Sequence, residues 1–390
     1  MLQLSPHDPD FVQNPYPAYD AARARGPLLW WEEYGMHAAF DHATVHALLR
    51  DRRLGRAVPG RDAASVPDHL TAFDAVEQHS LLELEPPGHT RLRRLILHAF
   101  TSRRIAALEG DIHDICADLI GALPRDPFDL IPAYCQQVPV RVIARLLGVP
   151  EAMGPDLLRW SAAMVAMYQA GRTRAIEDAA NAAAAEFATF LRSYIDERRN
   201  DPRDDLITRL IAAEDGGETL SHDEMIGTCV LLLNAGHEAT VHSLGNAVKC
   251  LIEHNQTDAL GPDQIAGTVE ELLRFDPPLH MFTRHVYEDV TLGDITLRQG
   301  DEVALMLGAA GRDPDIYTDP NRFDPARKAL AHLAFGGGLH FCVGAPLARL
   351  EMQIALPALF AAHPTLRIAA PPRYADSYHF HKLDHLIVTP

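Results

Sequence analysis

Cys342 stands in the run Phe335-Gly-Gly-Gly-Leu-His-Phe-Cys-Val-Gly344, directly ahead of Ala345-Pro-Leu-Ala-Arg349-Leu-Glu351, which starts like a helix. A thiol placed there meets backbone N–H groups and the positive end of a helix dipole, and both favour the thiolate. Glycines on either side, Gly336 and Gly344 among them, let a flat, bulky ligand approach the backbone, and the ring of Phe335 can shield the sulfur. A thiolate on haem iron donates electron density and favours O–O cleavage. A phosphate loop does not fit. The dinucleotide template counted from Gly336 needs glycine where Phe341 stands, and no Gly-Lys-Ser/Thr occurs. The other cysteines, Cys116, Cys135, Cys229 and Cys250, read as inert core thiols.

Asn234-Ala-Gly-His-Glu-Ala-Thr240 is the second chemical segment. His237-Glu238 invites a zinc reading, but Val241 occupies the place of the second histidine. His242 lies at i+5, about 140° further round a helix, so zinc is rejected. Two readings stay open. One is a packing notch with satisfied polar groups. The other is a kinked helix over a cofactor, with Glu238 and Thr240 relaying protons.

Two further pairs have helical spacing. Glu271-Leu-Leu-Arg274 puts an acid and a base on one face, most simply as a surface ion pair. Pro87-Gly-His89-Thr-Arg-Leu-Arg93-Arg94 sets His89 and Arg93 one turn apart, where each can pair with a carboxylate. A solvated basic face would look the same.

The elements that must position these groups are mostly helical. Ser221 and Glu224 form a capping box, and the apolar pattern from there runs to about His254, roughly 33 residues or ~50 Å. It is apolar nearly all round, so it should cross the interior. A second helix, about Asp263 to Phe275, ends before Pro277-Pro278. Helical periodicity fills residues 14–26, 42–50 and 86–200, with breaks near Pro124, Pro127 and Pro150. Residues 27–40, 286–306 and 365–390 look like strands, and residues 55–85 like a long loop with a short helix.

Taken together, these segments resemble the soluble bacterial cytochromes P450, which are haem-thiolate monooxygenases, from about Asn14 to Val388. The resemblance implies a mainly α fold with a small β region, one domain over 1–390, and haem b between the long central helix and the cysteine loop. Cys342 is then the axial ligand. His89, Arg93, Arg284 and His340 match propionate contacts, and Phe335, Gly336, Gly344, Ala235 and Gly236 line the cofactor. Glu271 and Arg274 become a buried pair that holds the cysteine loop, with Arg322 of Asp319-Pro-Asn-Arg-Phe323 as third member. Glu238 matches the family's relay acid. Ala239 departs from the pattern, which usually has threonine there; Thr240 comes one residue later, about 100° round the helix. Either an ordered water or a substrate hydroxyl above Ala239 carries the proton, or reducing power leaks to peroxide.

The implied reaction inserts one oxygen atom from O2 into an apolar small molecule, by hydroxylation or epoxidation. Leu279, Met281, Phe282 and Phe380 match substrate positions, beside Ala235 and Ala239. The 55–85 segment and the region of Met164, Met167 and Tyr168 match a lid. Electrons would come from a separate ferredoxin and its reductase. Ala239 keeps a second reading in play: a haem-thiolate protein for peroxide-driven oxidation, isomerisation or ligand binding.

Composition sets outer bounds. With 35 Lys+Arg against 53 Asp+Glu the formal charge is −18, which argues against nucleic acid as main partner. Hydrophobic residues at 47% and charged residues at 23% are globular values. Sparse, odd-numbered cysteines point to a reducing compartment. No signal peptide or membrane-spanning run is seen, so the expectation is a cytoplasmic protein that does not use a membrane. A ferredoxin would need a local basic patch, for which Arg91, Arg94, Arg103, Arg104 and Arg349 are candidates.

Overall fold

The computed structural model describes residues 1–60, 66–168, 172–328, 331–377 and 380–390. Its axis is the central helix, His222–Glu253. The expected capping box is formed: the Glu224 N–H donates to Ser221 Oγ at 3.1 Å and the Ser221 N–H to Glu224 Oε2 at 2.8 Å. Two of the four orphan donors at that end are thereby satisfied. Beyond the cap, Met225, Ile226, Val230, Leu233, Leu244, Val248 and Leu251 are all buried. Burial on most sides requires partners on most sides. Helices Gln137–Leu147, Gly154–Val165, Arg174–Asn200, Ile265–Phe275 and Ala345–Ala362 supply them.

The helical stretch expected over 86–200 breaks not only near the prolines but also at Phe100-Thr101, where the Thr101 side chain caps the next helix, and at Leu108. Gly88–Ala99, Ser102–Ala107 and Glu109–Gly121 come first, and Gln137–Leu147 ends at Gly148 in the left-handed conformation, φ 83°. One apolar cluster joins Val12 to Val388 through these helices, so the two ends of the chain share a core.

The β region is a five-stranded sheet in the order Leu28–Trp31, Met36–Ala39, Glu302–Met306, Met281–Val286, Leu54–Gly55. The Met36–Ala39 and Glu302–Met306 strands pair in parallel and the others antiparallel. The sheet therefore begins five residues ahead of the expected strand region at 286. Leu305 lies opposite Phe282 and Met306 opposite Met281, and successive side chains alternate between faces. Phe282 and Val286 accordingly join Leu305 in one apolar cluster, while Met281 joins Leu2, Phe11, Tyr19, Trp31 and Met306 in another. Smaller pairings near the C-terminus (Arg367–Ile368, Arg373–Tyr374, Leu383–His385, Ile387–Thr389) match the strand-like reading there.

Candidate active site

Helix Ala345–Ala362 starts one residue after Gly344, and the Cys342 N–H donates to the Phe335 carbonyl at 3.1 Å, closing the loop on itself. Gly336 and Gly338 have φ of 70° and 66°. A Cβ on Gly338 would lie 2.4 Å from the Leu49 carbonyl oxygen, and one on Gly337 2.8 Å from Arg50 Nη1. These two glycines thus let the loop seat against residues 49–50, rather than opening it to a ligand as the sequence suggests. Burial pushes the Cys342 thiol above its ordinary value; N–H groups of Gly344 and Ala345, with the Arg93 and Arg349 guanidiniums, pull it back. Arg349 spans to Glu270 at 2.5 Å and lies over the Phe335 ring at 4.5 Å. His332 reaches the same carboxylate at 3.2 Å.

The central helix carries an unusual stripe. Thr240 and Asn234 are buried, yet Ala235 is exposed, and Leu231, Leu232, Gly236 and Ala239 are only half-buried. A helix buried elsewhere has one open face, and Ala235 and Ala239 share it one turn apart. The Thr240 hydroxyl donates to the Gly236 carbonyl at 3.0 Å and the residue is 4% exposed. Thr240 is therefore removed from the expected relay: it sits round the helix from the open face. The Ser243 hydroxyl donates likewise to the Ala239 carbonyl at 2.9 Å. The helix runs unbroken from His222 to Glu253 through both back-bonds.

Basic side chains gather from four segments. His89 is fully buried, and both its ring nitrogens lack a hydrogen-bond partner. Its ring lies 4.6 Å from that of His340. Burial, then His340 and Arg93, brings His89 down to about 4. Arg93 donates to the Phe341 carbonyl at 2.7 Å, tying helix Gly88–Ala99 to the cysteine loop. Arg284 is 3% exposed, and burial together with the like charge of Arg56 lowers it to about 10. The carboxylate of Glu85 sits among them, 3.1 Å from His340 Nε2 and 2.5 Å from the Arg56 backbone nitrogen. Burial works to raise Glu85, but these two contacts hold it below the usual carboxylate range. Glu85 and Arg56 escaped the sequence reading. Their signal lay in position alone, Glu85 three residues before the first residue of the Gly88 helix.

A haem fits these residues. Buried orphan nitrogens on His89 and the buried guanidinium of Arg284 call for acidic oxygens, the open helix face offers room, and the loop sulfur already receives backbone donors. All four expected propionate contacts converge on the Glu85 and cysteine-loop region.

Glu271 and Arg274 are both buried and doubly joined, at 2.6 and 2.7 Å. The third member is Arg327, whose Nε lies 3.2 Å from Glu271 Oε1. This corrects Arg322: its side chain is 68% exposed and pairs with Asp324 at 3.4 Å, and only its carbonyl enters the network, accepting from Arg274 and Arg327. Met281 is also corrected. Strand alternation turns it into the core beneath the sheet, away from Phe282. Phe282 approaches the loop, 3.1 Å from where a Gly336 Cβ would be. Leu279 and Phe380 meet through an isolated antiparallel bridge. Where a lid is expected, the Tyr168 hydroxyl donates to Glu77 at 2.9 Å, and Asn181 Oδ1 accepts from the backbone of Ala72 and Phe73 at 2.8 and 3.0 Å. Met164 and Met167 are core residues.

The proposed basic patch is largely neutralised. Arg91 pairs with Glu224, Arg94 with Glu218, Arg104 with Asp204 and Arg349 with Glu270. Elsewhere, Asp276, His280 and His381 place possible ligand atoms within 4.8 Å of one another. Asp276 already accepts from Tyr16 at 2.7 Å and Tyr374 at 2.5 Å, and His381, Lys249 and His280 hold it far below its ordinary value against burial. That cluster has no cysteine and its charge is met, so it ties the C-terminal segment to the core.

A family profile for cytochrome P450 matches residues 265–363, which hold the Glu271 pair and the cysteine loop. The vitamin D(3) 25-hydroxylase of Pseudonocardia autotrophica is 38% identical over 92% of this chain and 89% of its own length. The mycinamicin IV hydroxylase/epoxidase of Micromonospora griseorubida is 38% identical over 84% and 82%. P450BioI, solved with a hexadec-9Z-enoic acid ligated acyl carrier protein, superposes with a TM-score of 0.91 at 33% identity, covering 98% of this chain and 99% of that one. The chain belongs to the cytochrome P450 family. It has that family's mainly helical fold and is an oxidoreductase of the monooxygenase class. No described helix is long and apolar enough to cross a membrane.

Proposed function

We propose that this protein is a haem-thiolate monooxygenase in which Cys342 supplies the axial sulfur and a medium-sized apolar molecule lies along the open face of the central helix. The observation that carries the reading is that face, Ala235 and Ala239 standing open in a helix otherwise sealed, in a chain whose cysteine loop already directs backbone donors at its sulfur. When bound, haem b supplies activation of O2 and transfer of one oxygen atom to a C–H bond or alkene. The chain's own residues do the rest. His89, Arg93, Arg284 and His340 hold the propionates, Glu85 yielding its place beside His340. Leu279, Phe282 and Phe380 orient the substrate and exclude water. Glu238 carries the proton, with a water or substrate hydroxyl bridging the space above the Ala239 methyl.

Relatives named for vitamin D(3) and mycinamicin IV, and neighbours solved with epothilone B or testosterone, support a substrate with an extended apolar frame. Electrons come from a separate ferredoxin and its reductase. With four candidate arginines already paired to acids, charge alone is a weak guide for that encounter, and exposed Arg103 is the remaining candidate. The whole chain, 1–390, acts as one domain in the cytoplasm, its five cysteines free.

The test is incubation with a surrogate ferredoxin pair, NAD(P)H and isotopically labelled O2. The reading expects one labelled oxygen in the product. Ala239 favours one competing reading, peroxide-driven or non-hydroxylating chemistry, which expects unlabelled product, or product only with added peroxide.

A further inference from the structure

Glu238 is not free to swing. Its Oε1 lies 3.1 Å from His242 Nε2, one turn along the helix, and 3.8 Å from Lys382 Nζ, which arrives from the C-terminal segment. Its Oε2 lies 3.7 Å from His237 Nδ1. His242 is 6% exposed, its Nδ1 is buried without a partner, and the Phe380 ring meets it edge-on at 5.8 Å. The charged or titratable groups facing the pair are therefore His237 on the same helix and Lys382 on the C-terminal segment. Burial pushes Glu238 upward, but the His242 hydrogen bond, then the charges of His242, His237 and Lys382, bring it down to about 2. Burial and Lys382 keep His242 below its ordinary value, against the pull of Glu238. A carboxyl held that low stores no proton at neutral pH. An imidazole and a carboxylate sharing one hydrogen bond titrate as a unit.

We propose that the Glu238–His242 pair passes on, without storing it, the proton delivered beside Ala239, with His242 as a positioning residue that holds Glu238 Oε1 and Lys382 as the charge that keeps the carboxylate ionised between transfers. This rests on the reading of Glu238 as the relay acid. A solvent proton entering on the Lys382 side adds to the Glu238 carboxylate, while His242 keeps its Nε2 proton and its hydrogen bond to Oε1. The new O–H bond breaks as the proton leaves toward the open face. The carboxylate is then ionised again and the imidazole unchanged, ready for another proton.

The experiment compares the haem-loaded wild type with His242→Gln, His242→Asn, Lys382→Met and Glu238→Gln. Infrared pH titration of the resting protein follows the Glu238 carboxyl band, assigned by its loss in Glu238→Gln. Substrate affinity is read by optical titration, and coupling as product per NAD(P)H. The pair predicts that both His242 variants shift the carboxyl titration by a pH unit or more and lower coupling about tenfold, with substrate affinity within twofold. It also predicts that Lys382→Met moves the carboxyl titration upward. A carboxyl titration and a coupling profile unchanged in both His242 variants would overturn the pair. If Glu238→Gln couples as well as wild type, the relay reading itself fails. If Glu238→Gln uncouples while the His242 variants do not, only the pair fails.

Discussion

At position 239 a methyl group faces the open side of the central helix, and the nearest hydroxyl, on Thr240, is spent on the Gly236 carbonyl. On the proposed reading, proton delivery therefore depends on something that is not a threonine. Ala239→Thr should raise product per NAD(P)H for substrate analogues that lack a hydroxyl, while weakening native substrate by about 1 kcal/mol through crowding; side-by-side coupling and optical titration check both. The Glu271 network gives a second residue-scale expectation. Removing one partner of a buried pair leaves an uncompensated charge, so Glu271→Ala should lose roughly 3–5 kcal/mol in denaturant unfolding. Arg327→Ala should loosen the same network, and Arg322→Ala should stay within about 0.5 kcal/mol of wild type. The Glu271–Arg274 pair was legible because both residues lie in one contiguous motif at helical spacing. Arg327 was not: Asp319 turns the chain at φ 49°, and which later arginine then reaches Glu271 is decided by that turn rather than by spacing.

Elements decide which side chains meet. The cysteine loop is held by its own Cys342–Phe335 bond, by Arg349 across Phe335 to Glu270, and by the seat of Gly338 on Leu49. Gly338→Ala combines a left-handed φ with a collision against a carbonyl, and each strained site costs about 1–3 kcal/mol. Its expected outcome is a lower thermal midpoint and faster haem loss to a scavenging protein. At the lid, Tyr168→Phe removes the hydroxyl that reaches Glu77 and should cost about 1 kcal/mol, seen as faster substrate exchange in stopped-flow mixing. The long central helix and its cap were readable from periodicity and the Ser221–Glu224 spacing. The parity of the Met281–Val286 strand was not, because Pro277-Pro278 interrupts the pattern just before it. One residue of uncertainty exchanges Met281 for Phe282 between core and site.

The whole molecule holds several titratable groups away from their ordinary values, and the signs agree. Burial, with some opposition from Glu238, brings His237 down to about 4. Unfolded, that histidine binds a proton near pH 6.5, so stability is lost as pH falls from 6.5 toward 4. Glu270, which burial would raise, is brought down to about 2 by Arg349 and His332. Its contribution is present above the ordinary carboxylate range and is lost as pH falls toward 2. Denaturant midpoints should therefore fall between pH 6.5 and 4 on account of His237 and further below about pH 4.5 on account of Glu270, and a flat profile from pH 6.5 to 4 would contradict the burial of His237. The net charge of −18 acts at the same scale: an acidic redox partner should be held off by low salt.

The most direct measurement is the absorption spectrum of the reduced, haem-loaded protein under carbon monoxide. Cys342 ligation predicts the red-shifted thiolate band in the wild type and its disappearance in Cys342→Ser. A wild type that never shows the band after haem reconstitution, or a Cys342→Ser variant that keeps it, would contradict the account.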